Sequence, residues 1–326
     1  MSDHPFCRAD HIGSLLRPQS LKDAYKAHAK GEIDDAAFAA VVDEAITDAV
    51  TMQETIGLGA VTDGEFRRRS WFDGFVEAVD GLVHKPTKFA FVEGGEAKVP
   101  VPVPYAEAPI RRTAGIATHE LAFAKQVAKT PVKITMPAPS VIHFHRGPDC
   151  ADPAVYPDMD RYWDDLIAVY RGEIAALGVA AVNEALTDRP AGMTVGMHLC
   201  RGNYRGKWIA TGGYEPVAER LFAEAAVDQF LLEFDSERAG GFEPLRLVPD
   251  GKSVVLGLVS SKTPALEPAD DLRRRIDEAA AYVPLECLAI SPQCGFGTTV
   301  GGAPMGEEDQ RRKLARVVET AVSVWS

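Results

Sequence analysis

The sequence contains no apolar run that approaches the roughly 18 residues a membrane-spanning helix needs. Its first ten residues, MSDHPFCRAD, include no apolar segment of the kind found in secretory signals. Basic residues are also few, 35 against 47 acidic ones, and the formal net charge is −12. We therefore expect neither an anionic membrane surface nor a nucleic acid as the main partner, because both attract positive charge.

Cysteine is scarce, and its spacing argues against two common architectures. No two of the five cysteines have the C-x-x-C spacing typical of a closed structural zinc site. An odd number of widely spaced cysteines also does not fit a disulfide framework. Reduced thiols in a cytoplasmic protein are the expectation. The sequence suggests no role for three of them, Cys7, Cys150 and Cys287.

Nucleotide-binding motifs are absent as well. No G-x-G-x-x-G follows a strand-like segment, and there is no P-loop, so a nucleotide cofactor is not indicated. The composition, 46% hydrophobic and 25% charged residues, is that of an ordinary globular protein. A length of 326 residues suits one (β/α)8 barrel with insertions, and we expect residues 1–326 to form a single domain.

Strand-like apolar segments alternate with amphipathic helical segments along most of the chain. This alternation predicts an α/β fold with a parallel sheet, and the number of units favours a TIM-type (β/α)8 barrel. Strands are predicted at residues 11–18, 60–68, 131–140, 193–200, 229–235, 253–260 and 288–293. These are seven, whereas a closed barrel of this kind needs eight. The missing strand falls at Gly178–Val179, where one helical segment follows another directly.

Residues 85–117 depart from this alternation. The segment is rich in proline, as in AKVPVPVPYA, and shows no helical period. It predicts an irregular β insertion or lid within the barrel domain.

Potential metal ligands stand at the ends of three predicted strands. His198 and Cys200 end the first, and because alternate residues of a strand share a face, both side chains point the same way. Glu233 and Cys294 follow two later strands. Taken alone, His198-x-Cys200 is more often a buried histidine beside an inert cysteine. Three strand ends together favour a Zn²⁺ site at the carboxyl face of the barrel.

Seven segments together resemble the cobalamin-independent methionine synthase family, especially its short single-barrel bacterial members. They are HIGSLLRP, VTDGEFRR, MPAPS, MHLCRGNYRG, LLEFDSERAG, GLVSSKT and SPQCGFG. The resemblance implies a TIM-type barrel that transfers a methyl group to a zinc-bound thiol, homocysteine in the best-known members. It implies four zinc ligands, His198, Cys200, Glu233 and Cys294.

The resemblance also implies substrate contacts. Ser14 and Glu65 match positions that hold the amino-acid part of the substrate, and His11 and Ser140 lie in the same motifs and are further substrate-binding candidates. Glu65 and Glu233 are the residues for which we expect a catalytic role. The implied partners are a small-molecule thiol and a methyl donor, and a homo-oligomer is possible.

The chain departs from the family pattern in two places. Full-length relatives have a second, N-terminal barrel that helps to hold the folate donor, and a chain of this length has no room for one. Relatives also carry an acidic strand motif, Q-L-D-D or I-D-E-P, after the helix that matches Asp160–Leu177. The corresponding gap at Gly178–Val179 reflects either an omitted segment or a deletion.

Zinc chemistry accounts for the expected reaction. A free thiol has a pKa of about 8.5, and coordination to Zn²⁺ removes its proton. Substrate sulfur would take the open position of the metal, in place of water or Glu233. Two alternatives stay open. The first is a zinc-dependent alkyltransferase that uses another thiol, such as one like coenzyme M, or a methyl-corrinoid donor. The second is a zinc-binding barrel without catalysis.

Overall fold

The computed structural model describes residues 7–87, 100–177, 194–203, 206, 211–297, 299–300 and 304–326. Its helices are α1 (Gln19–Ala29), α2 (Asp35–Ile56), α3 (Asp73–Ala78), α4 (Thr118–Val127), α5 (Pro139–Phe144), α6 (Met159–Leu177), α7 (Glu215–Glu224), α8 (Ala269–Ala280) and α9 (Glu307–Trp325). Its strands are β1 (Val79–Thr87), β2 (Val101–Arg112), β3 (Gly196–Leu199), β4 (Gln229–Glu233), β5 (Ser253–Val259) and β6 (Leu288–Pro292). None of the helices in these ranges is long and apolar enough to cross a membrane.

The central sheet is parallel, with the strand order β3-β4-β5-β6. Two single parallel bridges extend it: Ala9 pairs with Ile290 of β6, and Val61 pairs with Val132. Leu15 also donates its N–H to Gly64, 3.1 Å away, which joins the first and second strand positions. The carboxyl ends of all these strands therefore lie on one face, as in a (β/α)8 barrel.

The strands have two different faces. Phe230, Leu232, Val254, Leu256 and Ile290 belong to the large core cluster that also contains residues of helices α2, α8 and α9. The intervening residues Leu231, Val255 and Ala289 form a separate small cluster with Ile12. Alternation on each strand accounts for both clusters, the first between sheet and helices and the second inside the barrel.

Glu233 lies two residues beyond Leu231 and shares its inner face. His198 is paired in register with Leu231 on the neighbouring strand and faces the same way. Both side chains therefore point into the barrel interior, at the carboxyl ends of the strands.

The first three predicted strands are shorter in the structure than the sequence indicates. The strands predicted at residues 60–68 and 131–140 are each reduced to a single bridge, at Val61 and Val132. The strand predicted at residues 11–18 is wrong in position, because its single bridge lies before that range, at Ala9. With these bridges the central parallel sheet has seven strand positions in the described ranges. Between Val132 and β3, the one described bridge, at Ala151, pairs with Ala106 of β2 and not with this sheet. The gap predicted at Gly178–Val179 lies in residues 178–193, outside the described residues.

The predicted insertion contains an antiparallel pair, β1 with β2, whose pairing begins at Val79. Gly81 has a φ of +88° at the irregularity between Asp80 and Leu82, where a Cβ would collide with the backbone of Pro109. The pair packs on α6 through a second core cluster that includes Phe75, Ile110 and Tyr170. Residues 88–99 lie outside the described residues, and a role as a lid stays a prediction.

Glu173 of α6 connects this insertion to the barrel helices. Its side chain is fully buried and accepts the N–H groups of Ile116 and Ala117 at 2.9 and 2.7 Å. Arg112, at the end of β2, contacts the same carboxylate at 2.9 Å. One side chain therefore neutralises a guanidinium and satisfies two backbone donors before α4 begins.

Glu173→Ala should destabilise the protein by about 3–5 kcal/mol, because it leaves a partly buried charge and two N–H groups without their acceptor. Urea unfolding monitored by circular dichroism measures the loss. The control is Glu319→Ala, which removes an exposed partner of Arg316 and should change stability by less than about 0.5 kcal/mol. Equal effects of the two substitutions would contradict this role for Glu173.

Candidate functional site

Four potential ligand side chains meet at the carboxyl face of the barrel. His198, Cys200, Glu233 and Cys294 each place one ligand atom so that all four atoms lie within 4.8 Å of one another. The two sulfur atoms are 3.5 Å apart. The residues come from the ends of β3, β4 and β6, so the strand-end positions singled out in the sequence converge on one point.

His198 is held in the orientation a metal ligand requires. Its Nδ1 lies 3.0 Å from the carbonyl oxygen of Leu231, a hydrogen bond that places the ring proton on Nδ1. Nε2 is then left with a free lone pair, and it has no hydrogen-bond partner among the described residues. Such an outer hydrogen bond fixes ring and tautomer in many metal sites.

Glu233 is fully buried at the end of β4. Its Oε2 accepts the N–H of Arg201 at 3.2 Å, and the guanidinium groups of Arg201 and Arg238 lie 3.6 and 3.9 Å away. Its Oε1 is buried and has no hydrogen-bond partner in the described part of the chain. The two guanidinium groups thus face one carboxylate oxygen, and the other oxygen is left for a cation.

The two cysteines complete a donor set of two sulfurs, one nitrogen and one oxygen. Contact with Cys294, followed by burial, raises the pKa of the Cys200 thiol well above its usual value. The N–H of Gly202 donates to the same sulfur at 3.1 Å. Soft and borderline donors in this number are those that Zn²⁺ prefers, and the residues present fit that ion.

A second cluster of ionisable groups lies at the first three strand positions. Asp63, Glu65 and Glu120 are buried carboxylates, and Arg68 is the buried cation among them. Arg68 Nε donates to Glu120 at 2.9 Å, and its nearest contact with Glu65 is 4.0 Å. Thr135 donates its hydroxyl to Glu65 Oε1 at 2.7 Å. Arg17 is a second buried guanidinium, which donates to the backbone oxygens of Glu65 and Arg68. Acidic groups therefore outnumber guanidinium groups in the cluster by three to two.

Both acidic groups in the turn after the second strand position have an oxygen without a described partner. Asp63 Oδ1 accepts the N–H of Glu65 at 3.0 Å, whereas Asp63 Oδ2 and Glu65 Oε2 have none. Burial, followed by the charge of Glu120, raises the pKa of Asp63 to about 6. Glu65 has a φ of +61°, a left-handed conformation that is rare outside glycine and often marks a functional position.

The turn at residues 13–14 connects the two clusters. A Cβ on Gly13 would lie 3.2 Å from Glu65 Oε1, and a Cβ on Gly295 would collide with the hydroxyl of Ser14. The backbone oxygen of Ser14 accepts the N–H of Phe296 at 3.0 Å. Ser14 therefore packs against the residue that follows the ligand Cys294, with the acidic cluster on its other side.

His11 and Ser140 are placed differently. The His11 ring is buried, and because Ile12 faces the barrel interior, His11 faces helix α2, with Gln53 beside it. Burial, followed by the nearby charge of Lys133, lowers the pKa of His11 to about 4. Ser140 is exposed on α5. A substrate contact by either residue stays a prediction.

The sequence did not single out Glu120 or Thr135. Glu120 lies on helix α4, 52 residues from its partner Arg68, and no local spacing connects the two. A lone glutamate on a helix ordinarily faces water, so its burial is visible only in the folded chain.

The family described as "Cobalamin-independent synthase, Catalytic domain" matches residues 8–191 and 195–321 of this chain. The chain belongs to this family. Its resemblance to cobalamin-independent methionine synthases is thus confirmed, and with it the TIM-barrel fold and membership of a methyltransferase family.

Three relatives illustrate the match. "Uncharacterized protein YxjH" of Bacillus subtilis is 35% identical over 367 residues, which cover 98% of this chain and 95% of the relative. A crystal structure titled as a putative vitamin-B12 independent methionine synthase from Listeria monocytogenes has a TM-score of 0.76 and 30% identity, with 99% of both chains covered. A Synechococcus "5-methyltetrahydropteroyltriglutamate--homocysteine methyltransferase" is 22% identical over 88% of this chain and 40% of its own length.

The alignment with the Bacillus protein also shows a difference in length between the two proteins. It spans 367 residues, 41 more than the 326 of this chain, so the relative has at least that many residues without a counterpart here. The alignment length gives no position for these residues, and the gap expected at Gly178–Val179 stays a prediction.

Asp63→Asn should stabilise the substrate-free protein at pH 8 by about 1–3 kcal/mol. The raised pKa of Asp63 means that the folded state keeps this proton between about pH 4 and 6, where the unfolded state loses it. Wild-type stability therefore falls relative to the variant as pH rises through that window, and the two converge below it. Urea unfolding at pH 4, 6 and 8 measures the difference; a constant gap at all three values would contradict the assignment.

Proposed function

We propose that this protein is a zinc-dependent methyltransferase that transfers a methyl group to the sulfur of homocysteine and forms methionine. The observation that carries the proposal is the four-residue ligand set, whose donor atoms lie within 4.8 Å of one another. Family membership supports methyl transfer, and homocysteine as acceptor is supported by the printed name of the Synechococcus relative.

The residues of the chain have separate tasks in this proposal. Zinc bound here would act as a Lewis acid that keeps a substrate thiol deprotonated at neutral pH. His198 offers Nε2 because Leu231 holds its other nitrogen, and Glu233 offers Oε1 because Arg201 holds Oε2. Cys200 and Cys294, as thiolates, supply negative charge that keeps sulfur bound at the site electron-rich and nucleophilic.

The acidic cluster of Asp63, Glu65, Glu120 and Arg68 would select the thiol acceptor by the charge of its other groups. Asp63 and Glu65 each have a buried carboxylate oxygen without a described partner, and the cluster as a whole is negative. An ammonium group would satisfy both oxygens, whereas a thiol that carries an anion and no amine would be repelled. The acceptor should therefore carry an amine, as homocysteine does and a coenzyme M-like thiol does not. Ser14 lies between this cluster and the metal ligands, where the carbon chain of the substrate would pass.

Cys294→Ser should lower zinc affinity at least about 100-fold and abolish methyl transfer, because it removes one of the two sulfur ligands. Zinc content by mass spectrometry of purified protein and competition with a chelator measure the first effect. Cys287→Ser is the matched control, since Cys287 is half-buried and outside the ligand set. Wild-type protein without zinc, or a variant that retains it, would contradict the assigned site.

Glu65→Gln should raise the KM for homocysteine roughly 10- to 100-fold, because it removes a charge-assisted contact with the amine. The matched substrate is 4-mercaptobutanoate, which is homocysteine without its amine, and its KM should not change. A panel that adds 2-mercaptoethanesulfonate tests the alternative acceptor. Faster methylation of the sulfonate than of homocysteine would contradict the proposal, and zinc binding without any methyl transfer would support a non-catalytic barrel.

A further inference from the structure

Arg68 lies beside Glu65 without pairing closely with it. Both side chains are buried, and their nearest contact, from Arg68 Nη1 to Glu65 Oε1, is 4.0 Å. A charge-assisted hydrogen bond is shorter, about 2.7–2.9 Å between the heavy atoms. Glu65 Oε2 has no hydrogen-bond partner among the described residues. A buried guanidinium thus stands next to a carboxylate that has an unused oxygen, and other contacts must hold the two groups apart.

The five N–H donors of the Arg68 guanidinium are all engaged elsewhere. Nε and Nη2 form a two-pronged contact with the Glu120 carboxylate, in which Nε lies 2.9 Å from Oε1. Nη2 also donates to the Thr135 carbonyl at 2.8 Å. Nη1 donates to the Trp71 carbonyl at 3.4 Å and to the Thr135 hydroxyl at 3.2 Å. These five bonds leave no N–H of Arg68 for Glu65.

Glu120 is the charged group among these acceptors, since the oxygens of Trp71 and Thr135 are neutral. Its side chain is buried on α4, and both of its oxygens contact the guanidinium. A two-pronged pairing of this kind fixes the orientation of the guanidinium as well as its position. Glu120 therefore decides which way Arg68 turns.

The Thr135 hydroxyl carries this orientation to Glu65. A hydroxyl has a single proton, and the Thr135 oxygen already accepts an N–H from Arg68. Its own proton is therefore directed at Glu65 Oε1, 2.7 Å away. One oxygen of Glu65 is satisfied in this way, and the other is left free.

We propose that Glu120 is a positioning residue that sets the specificity for a thiol with an amine. It holds Arg68 away from Glu65 and so keeps a carboxylate oxygen free for the substrate ammonium. This inference rests on the proposed function. Without the charge of Glu120, the guanidinium would turn to Glu65, which is only 4.0 Å away, and would take the place of the ammonium.

Zinc-loaded Glu120→Gln is compared with wild type for homocysteine and for 4-mercaptobutanoate, which lacks the amine. Methyl iodide is the methyl donor for both thiols, so that recognition of a larger donor does not enter. The KM for homocysteine should rise about 10- to 100-fold, because Arg68 then pairs with Glu65. The kcat for homocysteine and the KM for 4-mercaptobutanoate should stay unchanged, since only binding of the amine is lost.

Glu77→Gln is the matched control. Glu77 lines the same surface hollow as Glu120, but its carboxylate is half-exposed and pairs with Arg69 at 3.0 Å. The substitution removes one negative charge from the same region, and it should change the KM of neither thiol.

Two double variants test whether the effect passes through Arg68 and Glu65. Arg68→Gln in the Glu120→Gln protein removes the guanidinium as well as its anchor, and the KM for homocysteine should fall back toward the wild-type value. In a Glu65→Gln protein, by contrast, Glu120→Gln should raise the KM no further. The effects of residues that act through one another are not additive.

A binding measurement does not depend on turnover. In calorimetric titration with methionine, the expected product, the Kd should rise in Glu120→Gln by a factor similar to that for the KM. An unchanged KM and Kd would overturn the inference. So would an equal loss with both thiols, a Glu120→Gln protein that no longer folds, or a double variant with Arg68→Gln that is worse than Glu120→Gln alone. Each of these three results would assign Glu120 a structural role. A wild type that methylates homocysteine no better than 4-mercaptobutanoate would overturn the proposed function as well.

Discussion

The register of the parallel strands is the constraint on which the candidate site depends. His198 pairs with Leu231 on β4, and Glu233 lies two residues further on the same inner face. A shift of one residue would turn either side chain toward the helices, because side chains alternate along a strand. The apolar residues between them fill the space under the helices, so the hydrophobic pattern that drives folding also fixes the ligands.

Charge is distributed unevenly around the carboxyl face of the barrel. The turn with Asp63 and Glu65 is acidic, whereas Lys262, three residues after β5, is buried and has no hydrogen-bond partner for its Nζ among the described residues. The potential zinc ligands occupy β3, β4 and β6 between these regions. In the proposed reaction, an amine-bearing acceptor would place its ammonium group at the acidic turn and its sulfur at the metal ligands.

Much of this arrangement could be predicted from the sequence, because its signals are local. Helices such as Asp35–Ile56 and Glu307–Trp325 agree with their amphipathic patterns, and the ligands stand where apolar strand segments end. Contacts between distant residues could not be predicted. The pairing of Arg68 with Glu120 has no sequence spacing to reveal it, and the local apolar pattern does not show which strands are reduced to single bridges. The pairing of Glu267 with Lys313, 46 residues apart, is likewise visible only in the folded chain.

X-ray absorption spectroscopy at the zinc edge of the zinc-loaded protein tests the central claim most directly. Ligation by His198, Cys200, Glu233 and Cys294 predicts two sulfur scatterers at about 2.3 Å and two nitrogen or oxygen scatterers at about 2.0–2.2 Å. Added homocysteine should contribute a third sulfur at the longer distance. A shell of nitrogen and oxygen alone would contradict the ligand set, and a shell unchanged by homocysteine would contradict activation of the thiol at this centre.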